Sequence, residues 1–440
     1  MSVVERPEAS SGLLHVVVLG GYGLIGRAVM RRLMAAGHRV TGVGRSKTAA
    51  DRAPGEDWRI FDIGGQSVGG WRDVLDGADA VVNASGALQD GARDDLTAIH
   101  ETTLHRLAEA LAGSECRFVQ ISAAGVAPDA STEFFRSKAR GESALAPLNP
   151  VILRPTLVLS QDAYGGTALL RAAAAMPLVL PKVLPGAIIQ CVHVDDLAEA
   201  VLDAVEGRIA CGAIVDVTGA GEASLPDLIG RTRRWLGFPD PVAVVPVPRF
   251  LLRAVTFAAD LAGHLGWRSP LRSTAVRALS DGVRGDPEAL PKAGGQRCRT
   301  LDEIFLSLPA TAQERWFARL WLLFLLALAT LAVFWLASGI VGLVRFGDAA
   351  EVLTSRGAST GFASLAVLGG ALADTLLGLA VLWRPWARRA CLGMLAVSVT
   401  YLAGATWMTP DLWADPLGPL VKVVPSMVLV LVVLSMLEER

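Results

Sequence analysis

The sequence predicts two structural classes in one chain: an α/β domain built on a doubly wound parallel sheet with a small substrate-side subdomain, and then an all-α four-helix transmembrane bundle. Charge is distributed unevenly, because residues 320–436 hold 11 charged side chains among 117 whereas residues 1–319 hold 69 among 319. Apolar runs alternate with amphipathic helical patterns as far as Pro155. The low-charge region contains four apolar stretches long enough to be membrane helices.

The composition argues against several other classes of protein. The net charge is −1 and no run of basic residues is present, so the sequence predicts no nucleic-acid partner. The five cysteines are scattered, without the spacing of a metal site or a disulfide framework, so neither is predicted. The first apolar run leads at once into glycines, so we expect no signal peptide and a soluble part in the reducing cytoplasm.

The segment Leu14–Gly44 has the pattern of one βαβ unit: an apolar run, a glycine turn, an amphipathic helix and a second apolar run. Gly20 permits the tight turn, Gly23 lets the backbone approach a pyrophosphate, and Gly26 lets the helix pack closely on the strand. The helix N-terminus offers N–H groups and a positive dipole end to phosphates. The predicted cofactor-binding residues of this turn are Gly20, Gly23, Leu24, Ile25 and Gly26.

The residue after the second apolar run bears on which dinucleotide binds. An Asp or Glu there would bind a ribose 2′-hydroxyl, but the segment Gly44–Lys47 has Arg45 instead. A guanidinium is a permanently charged, planar donor that suits a 2′-phosphate. The missing acid and the arginine together favour NADP over NAD, and a solvated loop arginine is the alternative.

Four further apolar segments continue the alternation, namely Trp58–Ile63, Ala80–Val82, Phe118–Ser122 and Val151–Arg154. In such sheets ligands bind outside the carboxyl ends of the strands. Gly86, Ser122 and Pro155 lie at those ends and are candidate site residues. The predicted fold is therefore a Rossmann-type sheet.

Strict alternation ends near residue 165, which predicts a substrate-side subdomain mainly over 165–310. Within it the amphipathic stretch Phe250–Leu265 is expected to pack on the subdomain, with the bilayer surface as the alternative. The predicted domains are a dinucleotide-binding domain at 1–310 and a transmembrane domain at 311–440.

The predicted membrane helices span about 320–344, 361–383, 390–410 and 420–437. Six Lys or Arg residues near the helix ends fall on one side and three on the other. The positive-inside rule then places the dinucleotide-binding domain and both termini in the cytoplasm. We therefore expect a multi-pass integral protein of a bacterial-type inner or plasma membrane.

Asp374 lies inside the second predicted membrane helix. An ionised carboxylate in lipid costs several kcal/mol or more, so this side chain should face the bundle interior, be protonated or be paired. Two interpretations stay open, a proton or quinone-headgroup site and an interhelical hydrogen bond to a serine or threonine.

The motifs together resemble the extended and atypical branch of the short-chain dehydrogenase/reductase (SDR) superfamily, over about residues 14–300. In chain order they are Gly20–Gly26, Asp62, Asn83–Gly86, Ser122, Ser137-Lys138, Arg154-Pro155 and Val192–Ala198. The chain looks most like atypical, NAD-dependent epimerase/dehydratase-like members related to the SDR-fold accessory subunit of respiratory complex I, and its C-terminal part resembles the DoxX-like membrane family. The resemblance implies further cofactor-binding residues at Asp62, Ile63, Ala84, Ser85, Gly86, Lys138 and Pro155.

The resemblance also implies a Ser–Tyr–Lys catalytic set. Ser122 matches the serine that orients the substrate, and Lys138 matches the lysine that holds the nicotinamide ribose. The tyrosine position is Phe134, whose ring has no proton to donate. Tyr164, His193 and a water held by Ser122 are the substitutes for the missing donor, and Tyr164 is kept as a candidate catalytic residue.

These patterns predict a membrane-anchored NAD(P)(H)-binding oxidoreductase or epimerase-type enzyme. A dinucleotide domain beside a membrane bundle suits an apolar substrate, such as a quinone or an isoprenoid lipid. Phe134 favours the alternative, a catalytically silent dinucleotide-binding scaffold or redox sensor for a membrane complex. The expected partners are the dinucleotide and either a lipid-soluble small molecule or a membrane protein complex.

Overall fold

The computed structural model describes residues 12–55, 57–88, 90–91, 95–267, 269–416 and 418–437. The chain forms two compact units. The first takes in the chain as far as Asp260 together with Pro270–Ala318, and the second takes in Leu261–Ser269 together with the chain from Arg319 onward. The functional division at residue 310 stays a prediction.

A seven-stranded parallel sheet forms the centre of the first unit. The described strands are β1 (His15–Leu19), β2 (Arg39–Gly44), β3 (Asp57–Ile60), β4 (Ala80–Asn83), β5 (Arg117–Ile121), β6 (Val151–Pro155), β7 (Leu157–Leu159), β8 (Val179–Lys182), β9 (Ile188–Ile189), β10 (Cys191–His193), β11 (Ile214–Val217), β12 (Ala223–Ser224) and β13 (Ala243–Pro246). The order in the sheet is β11-β6-β5-β4-β1-β2-β3, with Val16 of β1 opposite Val40 on one side and Ala80 on the other. The chain reverses direction across the sheet between β1 and β4, which confirms the predicted doubly wound fold.

Helices cover the faces of this sheet and form the whole second unit. The described α-helices are α1 (Leu24–Ala35), α2 (Lys47–Ala50), α3 (Val68–Leu75), α4 (Thr103–Ala110), α5 (Glu133–Leu145), α6 (Gly166–Ala174), α7 (Val194–Val205), α8 (Leu225–Trp235), α9 (Arg249–His264), α10 (Ser273–Ser280), α11 (Ala289–Lys292), α12 (Leu301–Ser307), α13 (Ala312–Val344), α14 (Phe346–Thr354), α15 (Thr360–Ala380), α16 (Arg384–Met408) and α17 (Val423–Leu437). A π-helical turn, Ala98–Thr102, leads into α4. Alternate residues of β1 point to opposite faces, so Val16 and Val18 pack with α1 and α7 while Val17 and Leu19 pack with α3 and α4.

Short strand pairs begin with β7, before residue 165, while β11 lies beyond that residue and returns to the main sheet, so the predicted limits 165–310 of the subdomain stay a prediction. Strand β7 pairs with β10, β8 with β13, and β9 with β12. A second apolar core joins this region, with Leu228, Ile304 and Ala318 buried in it. Because Ala318 belongs to α13, the first turns of that long helix are part of the first unit.

The prediction for the amphipathic stretch Phe250–Leu265 is wrong in one respect. Helix α9 packs through small residues, with Ala259 and Gly263 buried, and leaves its large apolar side chains in the open. Phe250 and Phe257 are 74% and 71% exposed. The apolar stripe predicted from the sequence is therefore not the packed face.

Three helices of the described chain, α13, α15 and α16, are long and apolar enough to cross a membrane. The fourth predicted span is shorter than expected, since α17 has 15 residues and a length of about 22 Å at 1.5 Å per residue. Its first turn contains Pro425, which has no N–H and is typical of a helix start. Helix α14 is absent from the prediction, because its acids, Asp348 and Glu351, break the apolar pattern.

Candidate active site

The glycine turn between β1 and α1 is held by contacts that leave no room for side chains. Gly20 has a φ of 73°, and a Cβ there would lie 2.9 Å from the Cα of Ser85. A Cβ on Gly26 would lie 2.2 Å from the carbonyl oxygen of Gly20, while the Gly23 N–H donates to that same oxygen at 2.9 Å. The backbone of the turn is thus pressed against the end of β4, as the predicted roles of Gly20 and Gly26 require.

The N-terminus of α1 is open toward this turn. Gly23 is its N-cap and brings no side chain, and Leu24–Ala35, which is fully described, has no acid in its first turn. The first N–H groups of an α-helix have no partner within the helix. Those of Leu24 and Ile25 are therefore available to an anion.

At the end of β2 the Arg45 N–H donates to the hydroxyl of Tyr22 at 3.1 Å, and the Arg45 side chain is exposed. The Tyr22 ring stacks on Trp58 with 6.1 Å between centroids. Asp62 follows β3 and caps a short turn, where its Oδ1 accepts from the Gly64 N–H at 3.0 Å. The next residue, Ile63, is fixed through its carbonyl oxygen, which accepts from the Thr103 hydroxyl at 3.2 Å.

The segment after β4 is held in place by the buried Asn83. Its amide donates to Gln120 Oε1 at 2.9 Å, and its Oδ1 accepts from the backbone N–H of Ser85 at 3.1 Å and from the Ser85 hydroxyl. The Ala84 N–H donates to the Leu19 carbonyl at 3.0 Å. This network fixes Ala84–Gly86 as one wall of the site.

Lys138 of α5 lies against that wall. A Cβ on Gly86 would lie 3.8 Å from Lys138 Nζ and 3.4 Å from His100 Nε2, so this segment lies within van der Waals reach of both side chains. The ammonium donates to the Ile121 carbonyl at 3.4 Å. Burial lowers the pKa of Lys138 to about 8, although the nearby Glu142 opposes that shift.

His100 is a buried member of this cluster that the sequence analysis missed. It lies in the π-helical turn, where Nε2 accepts from the Ala87 N–H at 3.2 Å and Nδ1 lies 2.9 Å from the Ser137 hydroxyl. Nε2 accepts a bond, so we assign the proton to Nδ1. Burial, and then the charge of Lys138, lower the pKa of His100 to about 3. A neutral histidine therefore ties α5 to the segment after Gly86.

Phe134 lies where the resemblance requires a tyrosine. Its ring centroid is 5.9 Å from that of His100 and 5.6 Å from Lys138 Nζ. The position is thus correctly oriented toward the lysine but carries no hydroxyl.

Ser122 has a partner that the sequence analysis did not foresee. Its hydroxyl donates to Glu142 Oε1 at 2.5 Å, and Arg154 donates to both oxygens of the same carboxylate, with Nη2 at 2.5 Å from Oε2. The hydrogen bond with Glu142 raises the pKa of Arg154 further. The hydroxyl that the resemblance assigns to the substrate is engaged in a partly buried ion-pair network.

Each of the remaining predicted residues lies on a different element of the structure. Tyr164 is 62% exposed on the loop before α6, and its backbone is held by Thr167. Pro155 ends β6, and its carbonyl accepts from the Ala124 N–H at 2.9 Å, which fixes the loop after β5. His193 caps α7, since its Nδ1 accepts from the Asp195 N–H at 3.1 Å.

Asp374 lies in the interior of the second unit, 4% exposed. The Ser338 hydroxyl of α13 donates to its Oδ2 at 2.6 Å, and the Tyr401 hydroxyl of α16 donates to its Oδ1 at 3.0 Å. The carboxyl group therefore links three helices, and each of its oxygens accepts a hydrogen bond. In the part of the chain that the structure describes, no group of three His, Cys, Asp or Glu side chains could hold a metal ion.

Residues 16–215 match the family described as NAD dependent epimerase/dehydratase, and residues 332–431 match the DoxX-like family. The protein joins an epimerase/SDR-family domain to a DoxX-like domain. The three apolar helices and the DoxX-like domain indicate a membrane protein.

Individual proteins are similar at lower levels of identity. Divinyl chlorophyllide a 8-vinyl-reductase, chloroplastic, from Oryza sativa subsp. indica is 28% identical over 277 residues, which covers 54% of this chain and 67% of that protein. Pal from Bacillus thuringiensis aligns with a TM-score of 0.52 at 14% identity, covering 70% of this chain and 100% of that one. WbmH from Bordetella bronchiseptica, solved with NAD+, aligns with a TM-score of 0.50 at 18% identity, covering 68% and 97%. At these identities the two structures show a shared fold.

Proposed function

We propose that this protein is a membrane-anchored NAD(P)(H)-dependent oxidoreductase that acts on an apolar substrate such as a quinone or an isoprenoid lipid. The observation that carries the proposal is that the Gly20 backbone lies against Ser85 while Gly86 lies beside Lys138. These contacts join the glycine turn, the end of β4 and the lysine of α5 at the carboxyl edge of one sheet. We refer to Gly20–Gly26, Ala84–Gly86 and Lys138 together as the cofactor cradle.

The cofactor cradle fits a nicotinamide dinucleotide. Side chains at Gly20 or Gly26 would collide with its walls, so the space beside the backbone is kept free. The N–H groups of Leu24 and Ile25 would hold the pyrophosphate, Lys138 the nicotinamide ribose, and Asp62 with Ile63 the adenine end. Arg45 would hold a 2′-phosphate, which is the basis for preferring NADP(H).

Reduction of a quinone also needs a proton, which must come from a side chain of the protein or from solvent. When bound, a reduced nicotinamide supplies a hydride, and a proton must accompany it to turn a quinone into a quinol. Phe134 has none to give, Ser122 is bonded to Glu142, and His193 caps a helix. Lys138, with a pKa of about 8, holds a proton at neutral pH within the cofactor cradle. The exposed Tyr164 is the other candidate proton donor.

Two observations favour reduction of an apolar substrate. The relative at 28% identity is named as a vinyl-reductase. A DoxX-like domain follows the dinucleotide domain in the same chain, which suits a substrate that partitions into the bilayer. The excess of arginine near Arg319, Arg384 and Arg389 supports a multi-pass topology with the first unit and both termini in the cytoplasm.

The direct test is turnover by the full chain in lipid nanodiscs. We expect oxidation of NADPH that depends on an added lipid-soluble quinone and is lost in Lys138→Met. The matched control is Lys182→Met, which removes an exposed lysine of β8. A wild-type protein that binds NADPH but consumes none with a range of quinones would contradict the enzyme proposal.

Phe134 supports a second candidate function, a dinucleotide-binding scaffold or redox sensor without turnover. The variant Phe134→Tyr separates the two, because it places a hydroxyl on a ring that already faces Lys138 and His100. In an enzyme weakened at this position the variant should turn over faster than the wild type. A sensor should show unchanged nucleotide affinity and no turnover in either form.

For Asp374 we propose a role as a proton or quinone-headgroup site of the membrane domain. Its burial among three helices and its two hydroxyl partners support this, and they also suit a purely structural interhelical bond. Asp374→Asn keeps the size of the side chain and one acceptor oxygen, while its NH2 group would donate to the other hydroxyl, and it removes the ionisable group. We expect loss of quinone turnover with unchanged thermal stability. Unchanged turnover would contradict the proposal and assign Asp374 to a structural interhelical hydrogen bond.

A further inference from the structure

Helix α9 leaves a broad apolar face without cover. Phe250, Phe257 and Leu261 are 74%, 71% and 57% exposed, and they recur at helical spacing along one side. Leu251 and Val255 extend the same side and are 46% and 38% exposed. Isolated exposed apolar residues are ordinary, but a contiguous face of this size marks an interaction surface.

The basic and acidic side chains of α9 have different surroundings. Arg249 and Arg253 lie on its exposed surface. Its one acid, Asp260, is 30% exposed, and its charge is paired within the first unit, where Oδ1 accepts from Arg272 Nε and from the Ser273 N–H, each at 3.2 Å. The open surface of the helix is therefore apolar and basic, which is the composition of helices that lie on anionic membranes.

The end of α9 belongs to the membrane unit. Beyond its last turn, Trp267 donates from its indole N–H to the Leu382 carbonyl at 2.6 Å and packs against Phe324, with 6.1 Å between ring centroids. The Arg384 N–H donates to the Leu265 carbonyl at 3.0 Å, and the Arg384 guanidinium lies 5.5 Å from the Trp267 ring centroid. These contacts are made where α15 ends and α16 begins, the end of the bundle that is rich in arginine.

Leu261 and Leu265, which are 57% and 37% exposed, extend the apolar face of α9 along the chain into residues that belong to the membrane unit. We infer that α9 is an interfacial helix whose Phe250–Leu261 face is buried in the headgroup and acyl boundary of the bilayer, with Arg249 and Arg253 on anionic lipid phosphates. This inference does not depend on catalysis. It implies that the helix that follows β13 is a second membrane attachment, made before the first spanning helix.

The test uses the full chain in nanodiscs that hold one molecule each. In a Cys211→Ser background, which removes the exposed native thiol, Phe257→Cys carries an environment-sensitive dye. Burial raises the pKa of the half-buried Cys116 to about 11, so this thiol reacts poorly at pH 7. Ile214→Cys, 57% exposed on the edge strand β11, is the matched control.

The inference predicts that the dye at 257 shifts to shorter wavelength and is quenched by lipids carrying a nitroxide on the acyl chain, while the dye at 214 does neither. Equal access of aqueous iodide to both dyes would overturn it. Shielding of position 257 that appears only in larger discs holding two molecules would also overturn it and assign the face to self-association.

The arginines provide a second readout. In discs containing phosphatidylglycerol, the pair Arg249→Glu and Arg253→Glu should reduce the lipid quenching at 257. In discs of phosphatidylcholine alone the pair should change that quenching much less, because the attraction to anionic headgroups is then missing. Equal quenching with and without the substitutions in anionic discs would contradict the role given to the arginines.

Discussion

The cofactor side and the catalytic side of the site differ in what they are made of. The cofactor cradle is built mainly from backbone, with Gly20 and Gly26 packed so closely that a methyl group would collide with neighbouring atoms. The catalytic side depends on single side-chain atoms, and there the position of Phe134 is kept while the hydroxyl is missing. Sterically defined parts of a fold change little without loss of structure, whereas one functional atom can be lost with the packing intact.

Ser122 shows the same contrast. Its place at the end of β5 follows from the sheet, but its hydroxyl is bonded to Glu142 and so shares the carboxylate with Arg154. The strand positions a residue, and neighbouring side chains decide what that residue can do. A dinucleotide-binding protein and a working reductase can therefore differ very little in backbone.

Among the substitutions considered, Gly26→Ala should have the largest effect on the stability of the glycine turn and on NADPH binding. The new Cβ would lie 2.2 Å from the Gly20 carbonyl oxygen, so the turn must move. We expect a loss of about 3 kcal/mol in the free energy of unfolding, together with loss of NADPH binding. The control, Gly69→Ala in α3, meets nothing within 4 Å and should gain up to about 1 kcal/mol. A Gly26→Ala protein that binds NADPH like the wild type would disprove the steric role of the turn.

Lys138→Met tests whether this lysine, which lies next to the catalytic position Phe134, also contributes to binding of the cofactor. A hydrogen bond from a charged donor contributes about 1.5–3 kcal/mol, so the dissociation constant for NADPH should rise about tenfold to a hundredfold. Titration of intrinsic fluorescence in the full chain measures it, with Lys182→Met as the reference. Unchanged affinity would remove Lys138 from the cofactor side.

His100 lies between the cofactor side and the catalytic side, and its buried ring should make the free energy of unfolding depend on pH. Its pKa is about 3 in the folded protein against 6.5 in the unfolded chain, so only the unfolded chain binds a proton between these values. The stabilisation is complete above pH 6.5 and falls as the pH drops toward 3, by at most about 1.4 kcal/mol per pH unit. The difference in unfolding free energy between the wild type and His100→Asn should shrink in that direction between pH 6.5 and 4. A difference that is independent of pH would show that His100 is not buried in its neutral form.

The fold and the glycine turn could be predicted from the sequence because both depend on local spacing. The pattern from Gly20 to Gly26 predicts the turn, and the alternation of apolar runs with helical patterns predicts the parallel sheet. His100 could not be found in this way, since its partners Ala87 and Ser137 come from other parts of the chain and meet it only through the π-helical turn. A single histidine in an amphipathic helix is too weak a signal.

The face of α9 was misjudged for a related reason. A helical stripe of large apolar residues predicts burial but does not identify what covers it. Here the packed face uses Ala259 and Gly263, which carry little weight in an apolar pattern. The length of α17 was overestimated because hydropathy does not register the helix start that Pro425 marks.

The central claim, that the cofactor cradle binds NADP(H), is tested most directly by titrating the full-length protein with NADPH and NADH while following thermal unfolding of the first unit. A ligand of the native state at a hundredfold excess over its dissociation constant should raise the stability by about 2.7 kcal/mol. The account predicts this shift with NADPH, a smaller one with NADH, and loss of the NADPH advantage in Arg45→Glu. Arg39→Glu, at the opposite end of β2, should leave the advantage intact. No shift with either nucleotide would contradict the claim and leave the fold as a scaffold.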